Sequence, residues 1–139
     1  MVQTIRATNA EALLGALEAG CVPPSGFHHR DHIHAAWLFL RREPPGPAIQ
    51  RFCDTLRRFA LAQGKPDLYH ETITWCFLLL VRERMAGVEE EEDFEAFARR
   101  NPDLFAWKPS VLSRYYQDDT LAAPLARVVF VLPDRLRVD

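Results

Sequence analysis

The stretch His70-Glu71-Thr72-Ile73-Thr74-Trp75-Cys76-Phe77-Leu78-Leu79-Leu80-Val81-Arg82-Glu83-Arg84-Met85-Ala86 decides how this chain folds. From Ile73 to Val81 it is apolar nearly all round, so no single stripe is set aside for one neighbour. A helix with that pattern is buried from several sides. It is expected from about His70 to Ala86 as the central element, leaving to solvent at Glu83, Arg84 and Gly87. Its apolar run is far too short to span a bilayer.

Upstream of it the periodicity is amphipathic. Thr8 and Glu11 have the spacing of a capping box ahead of Leu13, Leu14 and Leu17, and Gly20 closes that first helix. Val22-Pro23-Pro24-Ser25-Gly26 is a rigid loop. A second helix runs from about His29 or Asp31 to Arg42, with Ile33, Ala36, Trp37 and Leu40 on one face. After Glu43-Pro44-Pro45-Gly46-Pro47, a third runs from about Pro47 to Gln63 on the stripe Ile49, Phe52, Cys53, Leu56, Phe59 and Ala60.

Downstream, Glu89 to Asp93 is the charged first turn of a short helix carrying Phe94 and Phe97. Adjacent carboxylates point to different sides and lack EF-hand spacing, so this run is a helix start and not a cation site. Asn101-Pro102-Asp103 and Lys108-Pro109-Ser110 signal loops and helix starts, with short helices through Leu112 to Tyr116 and from near Asp118. Val128-Val129-Phe130-Val131-Leu132 has no partner strand and is expected as a tail packed on the helices. The fold class is all-α: a single-domain multi-helix bundle over residues 1–139, with a buried central helix (about 70–86) and an extended C-terminal tail.

The 139 residues carry 17 Lys and Arg against 19 Asp and Glu, so no overall basic field draws the chain to nucleic acid. Cys21, Cys53 and Cys76 are odd in number and far apart, which makes neither a disulfide framework nor a C-x-x-C motif. Cys53 and Cys76 sit among apolar neighbours as core residues. Met1-Val2-Gln3-Thr4 lacks the basic start and apolar run of a signal peptide. A cytoplasmic location and no membrane partner are the expectations, and nine Phe either fill a core or leave a homodimer face.

Four of the five histidines are His28, His29, His32 and His34, and the fifth, His70, opens the central helix. His29 and His32 are three apart and converge on one point, as do His28 and His32, four apart. His34 projects to the other flank. His70 leans towards the face of Ile73 and Phe77, with Glu71 about 100° away from it on the helix. The expected metal ligands are therefore His29, His32 and His70, with His28 an alternative to His29. Glu71, Asp31 and Tyr69 are the candidate catalytic residues. Either Glu71 or Asp31 completes the ligand set as a carboxylate; Glu71 otherwise serves as general base or cap, Asp31 otherwise orients an imidazole or caps the helix, and Tyr69 is a hydrogen-bond partner.

Three imidazoles and a carboxylate suit a divalent transition metal, iron, zinc, nickel or copper, without choosing among them. His70-Glu71-Thr72-Ile73-Thr74 opens like H-E-x-x-H but has Thr74 at the second histidine's place, which rejects a zincin. Ser25 lacks a nucleophile elbow, and Cys21 precedes the histidines without a defined base. Arg114, Tyr115, Tyr116, Trp37 and Trp75 are remaining pocket candidates, the tryptophans serving better as core, and Arg127 and Arg135 either meet an anionic substrate or lie at the surface.

The segments Phe27 to Ile33 (FHHRDHI), Tyr69 to Thr74 (YHETIT), Asn101 to Leu104 (NPDL) and Phe130 to Asp134 (FVLPD) resemble a group of small uncharacterised bacterial proteins over most of the chain. The resemblance implies a bacterial origin and names no activity. A looser likeness is to DinB-type helical bundles, which bind a metal through three histidines. Here the histidines crowd on the second helix, with His70 alone on the fourth.

The expected function is a small metal-dependent enzyme acting on a small molecule, by Lewis-acid or non-haem iron chemistry. The alternatives are a non-catalytic ligand-binding or interaction domain with a structural histidine cluster, and a metal-free histidine acid-base enzyme.

Overall fold

In the computed structural model, residues 12–21, 27–88 and 91–135 are described. The fold is all-α and multi-helical, as the periodicity requires, and the described residues contain no strand beyond one antiparallel bridge between Trp107 and Ser110. The chain divides into two compact units, Met1–Tyr69 and His70–Asp139.

The first unit contains α1 (described over residues 12–18), α2 (His29–Arg42) and α3 (Pro45–Ala62), followed by a 3-10 turn over Pro66–Leu68. The expected Thr8–Glu11 box and the Pro23-Pro24 loop lie outside the described residues. Leu13, Leu14 and Leu17 of α1 are buried as expected. The helix then ends at Gly20, whose φ of +74° only glycine adopts without strain. Gly20 N–H bonds to Leu17 O and Cys21 N–H to Ala16 O, the paired bonds of a Schellman motif. A Cβ at Gly20 would also lie 2.9 Å from Ala62 Cβ, so α3 ends too close for any larger residue there.

Two prolines set the turn between α2 and α3. The position before a proline is pushed out of helical space, and Glu43 accordingly has φ −136° and ψ 157°. Proline is welcome at N1, where its missing N–H is no loss, so α3 begins at Pro45 and not at the expected Pro47. The short connection makes α2 and α3 a packed pair, with Phe39 and Phe52 edge to face at 5.5 Å. Arg51 pairs with Glu43 across the turn. At its C-terminus α3 repeats the Schellman bonds, Gly64 N–H to Leu61 O and Lys65 N–H to Ala60 O, around Gly64 at φ +71°.

The second unit is built around α4 (Glu71–Ala86), followed by α5 (Phe94–Arg100), two 3-10 turns (Pro102–Leu104 and Val111–Arg114), α6 (Asp118–Ala122) and α7 (Pro124–Val128). Thr72, Leu78 and Val81 of α4 are fully buried, yet Leu79 is 44% exposed, so the helix keeps one wet edge that its composition hid. No helix of the described residues is long and apolar enough to cross a membrane. Asp93 proved to be the N-cap of α5, its carboxylate accepting from Ala96 N–H at 2.8 Å, whereas Glu91 and Glu92 precede the helix.

Polar pins hold this unit as much as its apolar core does. Arg84 donates to both Asp103 oxygens at 2.9 Å and to Asn101 Oδ1 at 2.8 Å, and Arg114 adds a bond to Asp103 at 3.0 Å. The Arg84 hydrogen bonds hold the Asp103 carboxyl down at about 2. Phe97, Leu104 and Tyr116 are fully buried among them. Burying one such side chain stabilises a fold by roughly 1.5–3 kcal/mol.

Candidate functional site

The first histidine segment is the start of α2. His28 is the N-cap residue, exposed, and its backbone N–H donates to Asp31 Oδ2 at 2.9 Å. Asp31 stands at N3 and ties down a backbone donor of the first turn, whereas the N-cap itself is His28 because the helix begins at His29. The Asp31 charge also suits the positive end of the helix. Asp31 N–H and His32 N–H both bond to His28 O, which closes the turn.

His29 opens the helix half-buried, and His32 lies one turn further in. The His32 ring packs 4.1 Å from the Phe27 ring, which in turn meets Phe59 of α3 at 5.2 Å. Burial among these rings lowers the His32 imidazole from 6.5 to about 4. Neighbouring His29 lowers it too, while Asp31 opposes both. His32 is therefore neutral at physiological pH. His34 sits on the other flank, 6.3 Å from Trp37.

The second segment is the start of α4, and here the geometry departs from a ligand set. His70 is the N-cap of α4 and is buried. Its Nδ1 accepts from Ile73 N–H at 3.1 Å, and its Nε2 lies 2.8 Å from Leu121 O. A nitrogen that accepts from an amide carries no proton, and one that meets a carbonyl must carry it, so the ring proton sits on Nε2. Both nitrogens are thereby committed to the fold, and neither presents a lone pair to an ion. Thr74 Oγ1 donates to His70 O at 2.7 Å, so the residue that replaces a second H-E-x-x-H histidine closes the helix start instead. Glu71 is the first residue of α4, half-buried and engaged in an interaction of its own. Tyr69 has the Arg57 guanidinium 4.9 Å from its ring centre.

The structure thus gathers His28, His29, Asp31 and His32 in one turn of the first unit, while His70 and Glu71 belong to the second. Among the described residues no group of three or more His, Cys, Asp or Glu is arranged to hold a metal ion. Ser25 lies outside the described residues. Cys53 and Cys76 are buried and Cys21 is exposed. Trp37 is buried and Trp75 half-buried. Of the tyrosine pair, Tyr116 is fully buried and Tyr115 half-buried. Arg114 is spent on Asp103, Arg127 is exposed, and exposed Arg135 donates to Ser113 O.

The residues that the sequence did not single out are Thr72 and Asp134. The Thr72 hydroxyl donates to Val129 O at 2.9 Å and accepts from Val131 N–H at 3.1 Å, while Asp134 accepts from Gln117 N–H at 3.0 Å and from Thr120. Two signals were present: a threonine at the start of a largely apolar helix, and an aspartate following a proline.

Compared with known proteins, the chain matches no family model, no curated protein and no solved structure.

Proposed function

We propose that this chain is a binding or interaction domain without catalysis, in which the histidines build helix starts and do not hold a catalytic metal. The observation that carries this reading is His70, whose two ring nitrogens are both used by the main chain, at Ile73 N–H and Leu121 O. A buried imidazole satisfied on both sides is a structural part, because taking it for an ion would leave an amide and a carbonyl unpaired at a cost of about 1–3 kcal/mol each. The role of Asp31 as partner of the His28 amide points the same way.

A second reading is favoured by one observation. His29 and His32 stand in the first turn of α2, and His32 is kept neutral, the form in which imidazole ligates an ion or takes a proton. A metal or acid-base site would then use these two residues, with Asp31 beside them and without His70.

Elemental analysis of tag-free protein, purified without chelator, separates the readings when run on wild type, His29→Ala, His32→Ala and His70→Ala. The proposed reading expects no stoichiometric transition metal in any of them, and a lowered unfolding midpoint in His70→Ala. One equivalent of metal lost in all three variants would overturn it in favour of the three-histidine enzyme. One equivalent lost only in His29→Ala and His32→Ala would move the site to the start of α2.

A further inference from the structure

The segment after α7 has one side of its main chain bonded and the other side open. The Thr72 hydroxyl donates to Val129 O and accepts from Val131 N–H, and the Tyr116 hydroxyl donates to Val131 O at 2.7 Å. Val129 is extended, with φ −134° and ψ 156°. In an extended segment successive residues turn their amides and carbonyls to opposite sides, so those of Phe130 and Leu132 face away from the two hydroxyls. Among the described residues they meet no hydrogen-bond partner. The segment is firmly fixed in this register: Phe130 packs 5.8 Å from the Trp75 ring, and the amides of Asp134 and Arg135 both bond to Tyr115 O. It is a strand edge held from behind and open in front, and Val128-Val129-Phe130-Val131-Leu132 is uncharged and mostly β-branched.

We propose that this edge pairs with the same edge of a second copy of the chain, antiparallel, about a two-fold axis through Val131. In that register Phe130 of each copy lies opposite Leu132 of the other, and each such pair exchanges both of its hydrogen bonds. A second copy is the occupant because the surface beside the edge is apolar and of the extent a dimer needs. Leu125 and Val128, three apart on one flank of α7, and Leu132 are 59% to 75% exposed, and Val129 and Leu79 are 44% exposed. Leu79 stands one turn on from Trp75, on the side of α4 that meets Phe130. Together these side chains expose on the order of 500 Å² of apolar surface. A stable dimer buries roughly 800 Å² per partner, of which about half to two-thirds is apolar. The pairing also closes on itself. The other side of each edge is already taken by Thr72 and Tyr116, and Pro133 ends it, so two copies form a dimer and no filament. This pairing goes beyond the binding-domain reading and does not rest on the histidines, so a monomer would leave that reading standing.

The test is sedimentation velocity of the full-length chain from about 1 μM to about 1 mM, with backbone amide exchange followed by NMR over the same range. The expected result is a shift from one chain to two as concentration rises. Protection of the Phe130 and Leu132 amides should rise with it, while Val131 N–H, already bonded to Thr72, is protected throughout. Leu132→Lys puts a charge on the edge of both copies and is expected to weaken the dimer roughly a hundredfold. Leu61→Lys, at a comparably exposed site on α3, should leave it unchanged. A monomer at every concentration overturns the pairing. So does a dimer that survives Leu132→Lys in folded protein, or one that leaves the Phe130 and Leu132 amides unprotected. A chain that stays monomeric, with those amides protected only by an added alternating threonine–valine peptide, would give the edge to a foreign strand and overturn it as well.

Discussion

The two units solve the same problem, ending helices and closing the spaces between them, by different means. Residues 12–69 do it mostly locally: Gly20 and Gly64 each close a helix through backbone bonds, Pro44 and Pro45 set a turn, and Asp31 bonds the first amide of its own helix start, with the Gln63 side chain reaching Gly20 O at 2.7 Å as the longer tie. Residues 70–135 do it at a distance, through His70 to Leu121, Thr72 to Val129 and Val131, Tyr116 to Val131, and Arg84 to Asp103. The contrast is sharpest between two histidines at helix starts. His32 is kept neutral by burial against Phe27, whereas both ring nitrogens of His70 are taken up by main-chain hydrogen bonds that demand one tautomer. Imidazoles near two helix starts, one inside the first turns and one at the N-cap, thus serve as an apolar ring in one unit and as a main-chain surrogate in the other.

The largest expected effect tests the His32 half of that contrast. Its folded-state value is depressed from 6.5 to about 4, so between those values the unfolded chain binds a proton that the folded chain does not. The stability linked to His32 is therefore full above pH 6.5 and lost as pH falls towards 4, by roughly 3 kcal/mol. Urea titrations at a series of pH values should show that slope in wild type and a flattened one in His32→Leu. The same slope in both proteins would mean that burial against Phe27 is not what holds the ring neutral.

His70→Ala tests the other half. It removes a helix cap and a bond to Leu121, worth about 2 kcal/mol together in urea unfolding. His70→Asn restores a cap acceptor for Ile73 N–H but not the reach to Leu121, and should recover about half of the loss. A His70→Ala midpoint equal to wild type would break the comparison, since the ring would then not be holding the second unit.

The smallest effect belongs to the local devices of the first unit. Gly64→Ala forces a positive φ on a residue with a Cβ but meets nothing within 4 Å, so its cost is backbone strain alone, about 1 kcal/mol. A larger loss by thermal or urea unfolding would show that the strain also breaks the neighbouring Gln63 bond to Gly20 O.

These devices also explain what could be read in advance. The helix from Glu71 to Ala86, the second helix from His29 to Arg42, and the stops at Gly20 and Gly64 follow from residues within a few positions of one another. The start of α3 was placed two residues late because three prolines compete for N1 and local rules do not rank them. Helical spacing within each segment assembles the histidine set, and it places His29 and His32 in neighbouring turns of one helix start. It failed to anticipate His70, because the partner of its Nε2 lies 51 residues away at Leu121. Thr72 was passed over for the same reason, as its bonds reach 57 and 59 residues along the chain.

By itself, then, the sequence determined helix class, order and most boundaries, since hydrophobic period, glycine and proline act over a single turn of backbone. Only the tertiary structure decided what the polar residues at those boundaries are for. A histidine or threonine can bond an ion, a ligand or a main-chain group with equal chemistry, and which partner it has depends on what distant backbone the fold brings within 3 Å.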